Sequence, residues 1–412
     1  MSQLDLDFVR AQFPALSTPA LAGQAFFENA GGSYTCAPVI QRLTRFYTER
    51  KVQPYAPYQA SQLAGAEMDE ARARLAALMG VETDEVSFGP STSANTFVLA
   101  NAVRLWLRDQ NVAIVVTNQD HEANSGVWRR LADEGIEVRE WRIDPQTGHL
   151  DPDALRPLLA DGKVRLVCFP HCSNVVAEIN PVAEVCAMAR AAGAATCVDG
   201  VSYAPHGLPD MPSLGADVYL FSAYKTYGPH QGIMVIRRAF GMALPNQAHY
   251  FNGEVLYKRH TPAGPDHAQV AACAGIADYI DALHTHHFGP ASAADARSRN
   301  TAVHDLMRGH EVALAQPLLD HLAARNDLRL IGPRRAEDRA PTLALALDRP
   351  AQPVAAALAH HGIMAGGSDF YAVRALAAMG VDPAQGVLRL SFVHYTSPDE
   401  IAQLIAALDQ VL

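Results

Sequence analysis

The sequence predicts an α/β fold: a mostly parallel sheet wrapped by helices, followed by a smaller C-terminal α/β domain. Three observations predict it. Short Val, Ile and Leu runs alternate with helical patterns through the middle of the chain, as in a parallel sheet buried on both faces. Beyond about Gly289 the rhythm changes and new strand-like runs begin. The chain has 412 residues, too many for one ordinary core.

The elements follow in order. An amphipathic helix spans Gly65 to Met79. "VAIVVT" (112–117) leads to a helical stretch from Ser125 to Glu134. "VREWRI" (138–143) leads to a helix from about Pro152, with Asp151 as N-cap. "VRLVCF" (164–169) precedes a helix starting at Pro181. "AATCVD" (194–199), "DVYLFS" (217–222) and "GIMVIR" (232–237) complete the first series. "DLRLIG" (327–332), "TLALAL" (342–347) and "VLRLSFV" (387–393) are strands of the second. The last helix carries explicit start signals. Ser397 is the N-cap, Pro398 is N1, and Glu400 completes a capping box. Ile401, Leu404, Ile405 and Leu408 then line one face. The charged stretch "RRAEDRAP" (334–341) is the expected surface loop.

Composition excludes several classes. The net charge of −10 argues against a nucleic-acid or anionic-membrane surface. No stretch is apolar enough to span a bilayer, and "MSQLDLDFVRAQFPAL" lacks the basic start of a secretory signal. The six cysteines form no CxxC pair, so zinc and thioredoxin-type chemistry have no support. Cys168, Cys186 and Cys197 fall in apolar patterns and read as core residues. A reduced, cytoplasmic protein is expected. "HTHHFG", starting at His284, lacks an acidic or cysteine partner at a usual spacing. It reads as a solvated face or a domain contact, and no metal is expected.

Chemistry-bearing residues gather at strand ends, where open α/β sheets bind ligands. Asp199 ends "TCVD", and Ser222 and Lys225 follow "VYLF". His171, Ser173 and Asn174 follow "LVCFP"; Asn118, Asp120 and His121 follow "IVVT". No GxGxxG or Walker A sequence is present, which leaves nucleotides without a signal. Ser91, Thr92 and Ser93 in "FGPSTSAN" precede a helical pattern, a natural anion site. A phosphate cradle, an acid and a lysine together point to pyridoxal 5'-phosphate. The lysine forms a Schiff base with the aldehyde, and a carboxylate keeps the pyridine nitrogen protonated. The freed amine then moves the substrate proton. On the last strand Leu388, Leu390 and Phe392 share a face and leave Arg389 on the other. Its planar guanidinium suits a carboxylate.

These motifs resemble the class V aminotransferases, within the fold type I pyridoxal-phosphate enzymes, and most of all their cysteine desulfurase branch. The resemblance runs from "FFENAGG" (26–32) to the final helix. Its most specific part is "DGVSYAPH" followed by "FSAYKTYGPHQG", which puts Asp199 and Lys225 at a spacing of 26 residues. It implies that Lys225 is the Schiff-base lysine and Asp199 the pyridinium partner. It implies that His121 in "QDHEAN" stacks on the ring and that Asn174 lies near the ring hydroxyl. Ser91, Thr92 and Ser222 would hold the phosphate. Ser202 stands where desulfurases usually have Gln. Arg389 would grip the substrate α-carboxylate, with Asn29 and Ala30 approaching the substrate. The resemblance further implies a homodimer with sites at the subunit interface. It implies a large cofactor domain over 20–285, and a small domain of 1–19 with 286–412.

Departures from the pattern shift the expected reaction. Tyr224 replaces the histidine before the lysine. The loop "GIMAGGSDFYAVR" has Tyr371 near the place of the desulfurase nucleophilic cysteine, and no cysteine follows Cys273. The expectation is a β-eliminating C–S lyase that handles a small α-amino acid through an external aldimine. Asp369, Tyr371 or Tyr224 would supply its acid. An aminotransferase, an epimerase and a non-catalytic ligand-binding protein that keeps the cofactor are the alternatives.

Overall fold

The computed structural model describes residues 3–290 and 294–412. Thirteen strands occur among them: β1 (Ala25–Phe26), β2 (Val86–Gly89), β3 (Ala113–Thr117), β4 (Glu137–Trp141), β5 (Val164–Pro170), β6 (Ala195–Asp199), β7 (Val218–Ser222), β8 (Gly232–Ile236), β9 (Leu328–Ile331), β10 (Thr342–Leu347), β11 (Ile363–Met364), β12 (Gly366–Ser368) and β13 (Val387–Ser391). The main sheet has the order β2-β8-β7-β6-β5-β3-β4. From β7 to β4 it is parallel; β8 runs antiparallel to both β7 and β2.

Alternation along these strands divides the core. Val115, Val167, Phe169, Val198 and Phe221 face one apolar cluster, with the helices Gln59–Met79, Val182–Ala191 and Ala274–Phe288. Ile114, Val116, Leu166, Cys168, Cys197 and Leu220 face another, with the helices Thr92–Leu107 and Glu122–Arg129. Both faces are covered, so the central strands are apolar along most of their length, and polar residues collect at their ends and on the edge strand β4.

A second sheet, β12-β13-β10-β9, is antiparallel. Leu343, Leu345, Leu388 and Leu390 pack there with Ala25, Phe27 and the helices Ala351–Ala359 and Pro398–Val411. The helix Ala296–Ala323 belongs to both cores. Val303, Leu306 and Met307 enter the first, and Leu314, Leu318 and Leu322 the second. We propose that the division between the two units lies within this helix, with residues 25–27 on the side of the second sheet.

Local signals explain most element ends. Ser397 Oγ accepts from Glu400 N (3.1 Å), and the Glu400 carboxylate accepts from Ser397 N (2.7 Å), closing the expected capping box. The helix expected at 65–79 starts earlier, at Gln59. The 125–134 stretch is an α-helix over Glu122–Arg129 and a 3₁₀ turn over Arg130–Glu134. Asp151 caps only a 3₁₀ turn, Pro152–Leu155, and one α-turn, Arg156–Leu159.

The surface-loop expectation for 334–341 holds in part: Arg334, Arg335, Glu337 and Asp338 are exposed. Within 334–341, Ala336, Arg339 and Ala340 are buried. The Arg339 guanidinium donates to the carbonyls of Ile331, Pro333 and Thr342, so its charge serves backbone at a bend rather than water. Of the 284–289 histidines, His286 and His287 make a contact with the N-terminal segment, one of the two readings expected. His286 bonds the Asp5 carboxylate (2.8 Å) and stacks on Phe8, and His287 accepts from Asp5 N (2.9 Å). No helix among the described residues is long and apolar enough to cross a membrane.

Candidate active site

The site lies at the carboxyl ends of β3, β5, β6 and β7. Strand β7 ends at Ser222 and turns at once through Ala223–Lys225. Three bonds fix that turn. Thr226 Oγ1 donates to Ser222 O (3.0 Å), Gly228 N to Ala223 O (2.8 Å), and Ser33 Oγ to Lys225 O (2.6 Å). Tyr227 follows in the left-handed region (φ 60°), held by its hydroxyl, which donates to Pro205 O. The lysine is buried. Burial lowers its pKa to about 8, the Arg389 charge adds to this, and Asp199 opposes it.

Asp199 ends β6, and its Oδ1 accepts from Val201 N (2.8 Å). Burial raises its carboxyl to about 6. Asp120 is a second buried acid lining the same pocket. Burial first, and the Asp199 charge second, push it well above the usual range. Its carboxylate accepts from Asn124 Nδ2, and Asn124 Oδ1 accepts from Trp128 Nε1 (3.0 Å). His121 caps the helix Glu122–Arg129, its Nδ1 accepting from Ala123 N (3.0 Å). That bond leaves the proton on Nε2 of the neutral ring. Burial, with the Lys225 and Arg389 charges, lowers its pKa to about 4.

The anion cradle forms where β7, β8 and the helix Thr92–Leu107 meet. Ser91 is the N-cap, accepting from Ala94 N (3.1 Å), and Thr92 Oγ1 bonds Ser222 Oγ (2.7 Å). Gly232 is needed here: a Cβ on it would stand 2.3–2.5 Å from the Ser91 carbonyl and Thr92 N. The pocket and its open mouth together hold about 600 Å³ of atom-free space. The pocket brings together Lys225, Asp199, His121, Asn174, Ser202, Ser222, Ser91 and Thr92.

An outer chamber adjoins it, lined by Lys225, Arg389, Tyr371, Phe370, Glu28 and Tyr224. Arg389 is buried. Its Nη2 donates to the Glu28 carboxylate, and its guanidinium lies 3.7 Å from the Phe370 ring centroid. Phe370 and Tyr371 both have left-handed backbone (φ 50° and 57°). Asn174 Nδ2 and Glu122 N donate to their carbonyls (both 2.8 Å) and hold that shape. Tyr371 is exposed, its ring 5.4 Å from that of His121. Asn29 departs from the expectation. Its amide donates to Phe26 O and Ser391 O and its oxygen accepts from Tyr395, so it braces the core while its neighbours Glu28, Ala30 and Gly31 line the chamber. Sequence reasoning singles out neither Glu28 nor Phe370, and it places Asp120 at a strand end without assigning it a role. For Asp120 the signal was an acid directly before His121 at a strand end.

An α/β sheet with a lysine, an acid and an anion cradle at its carboxyl edge defines the class, and comparison with known proteins defines the family. The family described as Aminotransferase class-V matches residues 25–256. The Aminotransferase-like protein FGM3 of Gibberella zeae is 32% identical, over 100% of this chain and 99% of its own length. A probable cysteine desulfurase of Halobacterium salinarum is 28% identical, over 99% and 96%. The apo cysteine desulfurase structure from Thermococcus onnurineus superposes with a TM-score of 0.84 at 21% identity, covering 100% and 98%. The chain belongs to the class V aminotransferase family and is an enzyme of its cysteine desulfurase-like kind.

Enzymes of this family depend on pyridoxal 5'-phosphate, and the residues present fit it. Asn174 Oδ1 is buried without a hydrogen-bond partner in the pocket, where a ring hydroxyl could satisfy it. The hydroxyls and free N–H groups at the helix start suit a phosphate. Asp199 and Lys225 suit a ring nitrogen and an aldehyde.

Proposed function

We propose that this chain binds pyridoxal 5'-phosphate and acts on a small α-amino acid as a β-eliminating C–S lyase. The observation that carries the cofactor reading is the convergence of Lys225, Asp199 and the Ser91–Thr92–Ser222 cradle on one pocket. When bound, the cofactor supplies an electron sink for charge developing at the substrate α-carbon. Asp199, as carboxylate, holds the proton of the ring nitrogen. His121 offers a neutral flat wall, Asn174 Oδ1 takes the ring hydroxyl, and Ser91, Thr92 and Ser222 hold the phosphate. Ser202 lines the same pocket as Asp199.

The substrate enters the outer chamber. Arg389 binds its α-carboxylate. The lowered pKa of Lys225 leaves enough free amine near neutrality to remove the α-proton. Tyr371, at the chamber rim, gives a proton to the departing β-substituent. The balance is an amino acid bearing a β-leaving group plus water, giving pyruvate, ammonia and the protonated leaving group.

Cysteine chemistry supports elimination over sulfur transfer to the protein. No cysteine follows Cys273. Cys172 lines the pocket, but its thiol donates to Ala177 O (3.2 Å), and burial pushes its pKa to about 12. It is a poor nucleophile. We further propose a homodimer, in which the partner completes the phosphate site, and a reduced cytoplasmic setting. All six cysteines being unpaired and buried supports the latter.

The test mixes purified holoenzyme with amino acids and cysteine conjugates. Pyruvate and ammonia in equal amounts support elimination. Accumulation of aminated cofactor, reversed by a keto acid, replaces it with transamination. Sulfide from free cysteine at high turnover overturns the cysteine argument. Borohydride reduction followed by peptide mass spectrometry must place the label on Lys225.

A further inference from the structure

The carboxylate-binding arginine already has a carboxylate. Residue 28 is bridged by its backbone to Ser391, on the strand that carries Arg389, so the two side chains are held together. Arg389 Nη2 donates to Glu28 Oε1. Its Nη1 makes only a long bond to Asn174 O (3.4 Å), and its Nε has no partner. Glu28 Oε2 is likewise a buried atom with no partner. Gly366 pairs with Arg389 across β12 and β13. A Cβ there would stand 2.7 Å from Glu28 Oε2, so the missing side chain leaves room for the Glu28 carboxylate. Both residues line the outer chamber.

A buried guanidinium without a counter-charge is costly. Glu28 supplies one while the site is empty. A substrate α-carboxylate reaching Arg389 must then displace Glu28 or share the guanidinium with a like charge. Either event subtracts from carboxylate affinity. We propose that Glu28 is a specificity-determining residue, a built-in carboxylate that occupies Arg389 at rest and competes with the substrate's α-carboxylate. This rests on the role given to Arg389 above. Its consequence is selectivity: an amino acid held only by its carboxylate binds weakly, and the β-substituent must contribute the rest.

The test compares L-alanine with ethylamine, which differs from it only in carrying hydrogen in place of the α-carboxylate. Dissociation constants for holoenzyme are read from the cofactor absorbance. The affinity ratio of alanine to ethylamine reports what the carboxylate contributes. Glu28→Gln keeps the shape and removes the charge. It should raise the ratio about tenfold, chiefly by tightening alanine. A ratio unchanged or lowered overturns the proposal. Glu28→Asp draws the carboxylate back and should also raise the ratio, which covers a Gln variant that fails to fold. Arg389→Gln separates the two readings. If it collapses the wild-type ratio while neither Glu28 variant raises it, only the Glu28 proposal fails. If it leaves the ratio unchanged, the role of Arg389 fails with it.

Discussion

A lysine denied water is a better nucleophile than one on the surface, because burial disfavours its charged form. Lys225 is lowered to about 8 by burial and by Arg389. Its neutral fraction is therefore about half at pH 8 and nearly complete a unit or more above it. The rate at which apoenzyme captures pyridoxal 5'-phosphate should rise through that pH and level off, as stopped-flow absorbance would show. A rate still climbing near the pKa of an ordinary lysine, about 10.4, contradicts a buried amine. His121, lowered to about 4, should add no inflection between these limits. Asp199→Asn should keep the pocket's shape and lose the acid. We expect kcat to fall about a hundredfold or more with the cofactor still bound. A variant of full activity sinks the ring-nitrogen role. Glu28 and Asn29 show where sequence reading stops at this scale. Both stand in "FFENAGG". In an extended segment adjacent side chains point opposite ways, and a one-residue slip exchanges them. The motif located the segment; only its pairing with β11 and Ser391 showed that Glu28 faces the chamber.

Elements carry the site because they meet tightly. Strand β8 touches the start of the helix Thr92–Leu107 at Gly232, where no Cβ fits. Gly232→Ala should push the Ser91–Thr92 turn outward, at a cost of about 1–3 kcal/mol, and weaken cofactor binding about tenfold or more. Circular dichroism should stay unchanged. Wild-type affinity in this variant would place the anion site elsewhere. The antiparallel direction of β8 was legible in principle. Only residues 223–231 separate it from β7, and a parallel crossover needs a dozen or more. The buried Arg339 was not legible, since three carbonyls at a bend come from backbone geometry that composition does not encode. Arg339→Met would leave these buried acceptors unpaired, at about 1–3 kcal/mol each. A melting temperature lowered by roughly 5 °C is expected, and an unchanged one would contradict the burial.

At the scale of the whole molecule, an exposed aromatic surface lies beside the proposed cofactor site. Tyr250 is 91% exposed, Phe251 68% and Tyr55 59%. Tyr55 and Phe251 line a groove with Tyr257 and the segment Thr261–Pro265. The same segment walls a second groove that runs past Gly89, Pro90 and Ala94 to the start of the cradle helix. Large exposed aromatics of this kind mark interfaces. A partner covering them would therefore also press on the phosphate site, which joins the proposed dimer to cofactor binding. Light scattering of the holoenzyme should give twice the chain mass. Tyr250→Asp with Phe251→Asp should give a monomer that binds pyridoxal 5'-phosphate about tenfold more weakly, although neither residue lines the cofactor pocket. A double variant that stays dimeric moves the interface elsewhere. A monomer with wild-type affinity means that each chain builds its phosphate site alone.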